Sequence, residues 1–171
     1  MKKYIIILVI QCLYSLGFAQ GGSQIEFKIR NLGVNVDGYF GTFTINASFD
    51  NDRNLTDVNA SIDVASIDTG IEGRDKHLLK EDYFDVENHK TIQLETTRVD
   101  KESDTSYQLN AKLTIKGTTK TVDIPIKIEQ TESSSLLSAY FELNRKDYGV
   151  GGGSLVMSKT VKITVKHRHY F

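Results

Sequence analysis

The chain is poor in the residues that mark special-purpose folds, with one Cys, one Pro, two Met and no Trp among 171 residues. A single cysteine, Cys12, excludes a disulfide framework and a Cys-based zinc site. A formal net charge of -1 provides no cation excess to neutralise phosphates, so no nucleic-acid partner is expected. Long apolar runs are missing too. The one candidate, Tyr4 to Ile10 behind Lys2 and Lys3, is followed by Gln11 and Ser15 and falls short of the about 20 apolar residues of a membrane span. With Gly17 and Ala19 after it, the segment has the layout of a secretory signal. Residues 1–19 are therefore read as a signal peptide and 20–171 as one mature domain. Cys12 follows Gln11 rather than a small residue, unlike a lipid-modified cysteine. Without the leader, 152 residues remain with no cysteine and with 19 Lys and Arg against 22 Asp and Glu. Such a protein is exported and mildly acidic, periplasmic or secreted, and a thiol enzyme is ruled out. At this length one domain can bury enough surface to need no staple.

What is abundant is branched. Val, Ile and Thr fit a pleated surface, and apolar residues alternate with polar ones in eight segments: 25–29, 43–49, 58–64, 92–97, 107–115, 122–128, 137–143 and 161–165. Short links with turn chemistry, such as Asp50, Asn51 and Asp52 or Gly117 between threonines, make the neighbours antiparallel. An eight-stranded sheet must cover its apolar face, either by splitting into two layers or by closing into a barrel. Pro125, in mid-strand, marks an edge, a bulge or a seam.

Two segments break the rhythm. Residues 66–89 contain Gly70, Gly73 and a stretch from Arg74 to Lys80 able to form two helical turns; a long excursion in a tight meander is where function tends to sit. Residues 145–154 hold Gly149 and Gly151 to Gly153, which suit a bend between strands rather than a phosphate cradle. Arg74, Asp75 and His77 could hold a head group or gate the tunnel, or Asp68, Arg74 and Asp75 could pin the helical loop to the barrel end; ion pairs and caps outnumber head-group sites, which favours the pin. Tyr83 and Phe84 serve equally as an end plug or as ligand contacts. His167 and His169 share one side of a strand, but with Lys166 and Arg168 beside them no metal site is expected. Neither a nucleophilic triad nor a clustered acid and base is found, so no catalytic residue is assigned and no enzyme is expected.

At the irregular segments the sequence resembles the YceI-like family of bacterial exported proteins. The stretches that carry the resemblance are Gly38-Tyr39-Phe40-Gly41-Thr42-Phe43, Ser66-Ile67-Asp68-Thr69 with Arg74-Asp75-Lys76-His77-Leu78, and Tyr83-Phe84-Asp85. Leu113-Thr114-Ile115-Lys116-Gly117-Thr118-Thr119-Lys120 and Arg145-Lys146-Asp147-Tyr148-Gly149-Val150 follow in order. His89-Lys90-Thr91 and Tyr148 depart from the family's usual residues at loop positions only.

The resemblance implies an all-β fold: an eight-stranded antiparallel lipocalin-like β-barrel with a short helix in the loop after strand 3, holding a polyisoprenoid or other long amphiphilic lipid. The lumen would then be walled by Ile25, Phe27, Ile29, Phe40, Phe43, Ile45, Ile62, Val64, Leu94, Leu109, Leu113, Ile124, Ile126, Phe141, Leu143 and Ile163. The mouth or head-group site would fall to Arg74, His77, Tyr83, Phe84 and Tyr148. No cofactor is implied beyond the non-covalent lipid, no stable membrane span is expected, and pairing into a homodimer is left open. Two alternatives share the same alternation, an extracellular β-sandwich with a filled core and an eight-stranded outer-membrane barrel.

Overall fold

The computed structural model describes residues 22–154 and 156–171; the expected signal peptide lies outside them. The strands are β1 (Gln24–Asn31), β2 (Val34–Phe40), β3 (Phe43–Phe49), β4 (Leu55–Asp63), β5 (Ile67–Asp68), β6 (Thr91–Lys101), β7 (Ser106–Ile115), β8 (Thr118–Gln130), β9 (Ser134–Asn144) and β10 (Met157–Tyr170). One helix, α1 (Glu72–Leu78), lies between β5 and β6, and short 3-10 turns cover Val64–Ser66 and Arg145–Tyr148. Every strand pairs antiparallel in one curled sheet ordered β3-β4-β6-β7-β8-β9-β10-β1-β2-β5.

The all-β antiparallel class is as read, with ten strands where eight were expected. β2 was missed because Gly38 interrupts its row of Val34, Val36 and Phe40, and β5 because it has two residues. Both additions extend expected strands. β2 continues into β3 through a bend at Gly41 and Thr42, and β4 continues into β5 through the Val64–Ser66 turn. At that corner the Gly41 N–H donates to the Ser66 carbonyl and the Asp63 N–H to the Thr42 carbonyl, both at 3.0 Å. The two ends of the sheet thus meet in eight staves round one interior, and a two-layer sandwich does not describe it.

Gly38 has a packing reason. It stands opposite Phe27 in the β1–β2 ladder, and a Cβ there would lie 2.4 Å from Phe27 Cζ. The Phe27 ring covers the bare backbone and tilts against Phe40 at 5.7 Å between centroids.

Among the described residues no ladder joins β3 to β1 or β10. Side chains close that seam at the far end: the Phe49 ring lies 5.0 Å from His169 and 5.4 Å from Phe171, with the Arg53 guanidinium 4.4 Å over Phe171. Arg53 also donates to the carbonyls of Thr131 and Glu132 at 2.9 and 2.8 Å. A second break falls at Pro125. β8 pairs with β7 from Thr118 to Lys127, but its ladder with β9 starts only at Ile126, opposite Ala139.

Inward rows are apolar and outward rows are charged. Leu109, Ala111, Ile124, Ile126, Ile128 and Leu137 form one core cluster toward the far end; Ile25, Phe40, Val64, Ile67, Ile92 and Leu113 form another under the helical loop. Glu26, Lys28, Lys112, Lys127, Glu129 and Lys162 face out.

Candidate functional site

The loop from Ile67 to Lys90 caps one end of the barrel, and Thr69 holds it. Arg74 donates through Nε to Thr69 Oγ1 and through Nη2 to the Thr69 carbonyl, each at 2.7 Å. Asp75 accepts from the Thr69 N–H at 3.0 Å and from its hydroxyl. Asp68 accepts from the Gly70 N–H and from the Tyr39 hydroxyl, each at 2.7 Å; the Tyr39 bond, then the Gly70 bond, holds its carboxyl below the ordinary carboxylate range. The three residues are thus joined through hydrogen bonds rather than Asp–Arg ion pairs: Arg74 and Asp75 converge on Thr69 within the loop, and Asp68 ties the loop to Tyr39 of β2.

The cap is tied to the barrel at two further points. Gly151 donates its N–H to the Asp82 carbonyl at 2.8 Å, and the Lys116 ammonium reaches the carbonyl of Gly149 at 3.2 Å and that of Glu81. Gly151, at φ +69°, leaves no room for a Cβ, which would sit 2.8 Å from Arg145 Nη1 and 3.0 Å from Tyr83 Cε1.

Beneath this cap lie two apolar cavities of about 150 and 130 Å³. They share the wall residues Phe40, Ile92, Ile115, Leu143 and Ile163, so they abut along the barrel at this stretch of wall, the neck. Of the sixteen expected lumen residues, Phe43 and Val64 line neither cavity. Phe43 packs against the core cluster under the cap, and Val64 sits in the turn that joins β4 to β5. The remainder do line them: Phe27 and Ile29 under the cap; Ile25, Ile45, Ile62, Leu94, Leu109, Leu113, Ile124, Ile126 and Phe141 toward the far end; Phe40, Leu143 and Ile163 at the neck. Arg74, Tyr83, Phe84 and Tyr148 border the capped cavity. His77 does not; its ring packs edge-on against Tyr83 at 4.9 Å, outside the wall.

Polar groups at the walls are few and held. Arg145, 4% exposed, donates from Nη1 to the Val150 carbonyl at 2.7 Å, from Nε to Ser158 at 2.9 Å and from Nη2 to Met157 at 3.1 Å. Burial lowers its pKa, against an opposing influence of Tyr83. Burial raises that of the Tyr148 hydroxyl, with Asp147 adding to it. At the far cavity His167 contacts Ser23 Oγ through Nδ1 at 2.6 Å, and burial, then the neighbouring His169, pushes its pKa down.

Several wall residues were not singled out from the sequence. Ile92, Ile115, Leu137, Val161, Val165 and His167 continue the same alternating rows, so strand parity was the signal for them. Arg145 opens one of the stretches that carry the resemblance, but its place in the wall left no mark in the pattern, because its partners are backbone carbonyls across a loop. Chemically, the arrangement encloses an apolar chain and offers a few donors under the cap.

The YceI-like domain model matches residues 18–168. A UPF0312 protein of Serratia proteamaculans is 34% identical over 134 residues, 74% of this chain and 69% of that protein. One from Pectobacterium atrosepticum is 35% identical over 106 residues, 61% of this chain and 55% of that protein; this chain thus matches little more than half of that relative's length. Among solved structures, BcnA of Burkholderia cenocepacia superposes with a TM-score of 0.81 at 22% identity, covering 86% of this chain and 96% of that one. A polyisoprenoid binding domain from Saccharophagus degradans gives 0.70 at 15% identity, covering 86% and 92%. At these identities the two structures attest the fold.

Proposed function

Because this chain belongs to the YceI-like family, we propose that it binds a long-chain isoprenoid or similar amphiphilic lipid in its interior. The carrying observation is the pair of apolar cavities that abut at the Phe40, Ile92, Ile115, Leu143 and Ile163 neck. A chain threaded through both would gain about 0.8 kcal/mol per buried methylene, so ten or more carbons suffice without a polar contact. The head group would rest under the cap beside Arg74, Tyr83 and Tyr148. The Saccharophagus degradans domain, which shares the fold, is described as polyisoprenoid binding, and that supports the ligand class.

The protein would act as an exported carrier, periplasmic or secreted, without a cofactor and without catalysis. Charges on the outward rows favour a water-facing exterior over an outer-membrane barrel, whose outside is an apolar band. Native mass spectrometry of protein purified from its own host, and of protein mixed with an isoprenoid quinone, tests the reading and also reports whether two copies pair. A bound lipid is the expected result; the absence of any bound species in both samples overturns it.

A further inference from the structure

The inward row of β2 runs past the end of the barrel. Phe40 and Val36 wall the capped cavity, and Val34, next in the same row, stands in the last rung opposite Asn31 and is 66% exposed. Beside it Leu32, 72% exposed, occupies the two-residue turn with Gly33, at φ +50° and +80°. Turns of this primed geometry take Asn, Asp or Gly at the first position. A leucine there is both strained and exposed, and such a breach of local rules tends to mark function. Val156, 56% exposed, joins them through the Leu32 N–H, which donates to its carbonyl at 3.0 Å. Their neighbours Asn31 and Met157 line the capped cavity, so this lip borders the cavity directly.

Within the two segments that form the lip the charges are of one sign; the carboxylates of Asp37, Asp147 and Asp82, whose backbone carbonyl accepts from the Gly151 N–H, lie beyond them. Residues 30–36 and 149–159 contain Arg30 and Lys159 and no carboxylate. Arg30 is anchored at the tip by Nε donating to the Gly33 carbonyl at 3.0 Å, and both cations are exposed. The turns at the far end carry Asp50, Asp52, Glu102, Asp104 and Glu132 against Arg53 and Lys101.

We propose that Leu32, Val34 and Val156, flanked by Arg30 and Lys159, dock on an anionic lipid bilayer and admit the lipid to the cavity directly from it. The proposal rests on the lipid-binding reading above. Each methylene that must cross water slows release from a bilayer about fourfold, so a long-chain ligand exchanges usefully only where apolar surface continues from membrane to cavity. An apolar lip with cationic flanks is the form that interfacial binding takes.

The absence of tryptophan makes the test clean. Val156→Trp places a single reporter at the lip and Tyr170→Trp one at the far end. Emission of the first is expected to shift to the blue on vesicles containing phosphatidylglycerol, and much less on phosphatidylcholine alone; the second is expected not to respond. Adding Leu32→Asp and Val34→Asp to the lip reporter should weaken vesicle binding at least tenfold, while quinone binding in solution, read by native mass spectrometry, is unchanged. No shift at the lip, an equal shift at both ends, or a shift that survives the double substitution overturns docking. A lip that instead covers a protein partner gives no shift and overturns it too. Failure of the unsubstituted protein to bind quinone overturns the lipid-binding reading, and the vesicle arm reports on docking separately.

Discussion

The Arg145 guanidinium donates to the Val150 carbonyl at 2.7 Å inside the wall of the capped cavity, and among the described residues no carboxylate pairs with it. Its charge is spread instead over three carbonyls, those of Val150, Ser158 and Met157, which ties the β9–β10 loop across the barrel end.

Arg145→Ala removes the donor to all three carbonyls. With about 1–3 kcal/mol for the buried Val150 carbonyl left unpaired and less for the half-buried Ser158 and Met157 carbonyls, a loss of about 2–4 kcal/mol is expected. Arg145→Lys should recover only part of it, since an ammonium lacks the planar fork that spans the three. Urea unfolding midpoints of the three proteins measure this.

Gly38→Ala forces a methyl into the Phe27 ring. Overpacking of this kind costs about 1–3 kcal/mol, and thermal unfolding should register it. A double substitution, Gly38→Ala with Phe27→Leu, should recover most of the loss; additive losses would show that the ring is not the cause.

His167 stays neutral more readily in the folded protein than in the unfolded chain, because burial lowers its pKa from the ordinary value of 6.5. As pH falls below about 6.5 the unfolded chain takes up the proton first. The stabilisation is thus complete above that pH and is lost as pH falls through the folded value. Melting temperatures from pH 7.5 down to 5 should decline, and His167→Gln should flatten that part of the profile. An unchanged slope in the variant would remove His167 from the explanation.

Leu143→Phe narrows the neck between the cavities. Prenyl chains long enough to need both should lose affinity tenfold or more, while shorter chains that fit one cavity are retained. Displacement of a fluorescent apolar probe by prenyl alcohols of increasing length reads this. Equal weakening at every length would place the bound chain elsewhere.

Alternation made most of the fold legible before any coordinates. β1, β6, β7 and β10 each declare an inward row, because burial of one face imposes a period of two on the side chains. The same parity marked most of the cavity wall. β2 was hidden because Gly38 replaces the apolar residue expected opposite Phe27, and the reason for that glycine is a contact between strands. Arg145 was hidden for a related cause: its carbonyl partners lie at Val150, Met157 and Ser158, and backbone acceptors leave no trace in residue type. Thr69, the centre of the cap, belongs to a stretch that carries the family resemblance, but its partners Arg74 and Asp75 are set by the loop's folding and not by its residue type.

The late start of the β8–β9 ladder has a bearing on solubility. Upstream of Ile126, among the described residues, one flank of β8 has no strand in its ladder, although the Arg145–Tyr148 turn touches the strand, and backbone without a strand partner can recruit one from another molecule. Pro125 sits at the boundary, where it offers no N–H to an incoming chain, and Asp123 and Lys127 project outward beside it. Replacing Pro125 with a β-former such as Val would remove a guard against aggregation, so the only proline in the chain protects the protein in concentrated solution as much as it shapes the barrel.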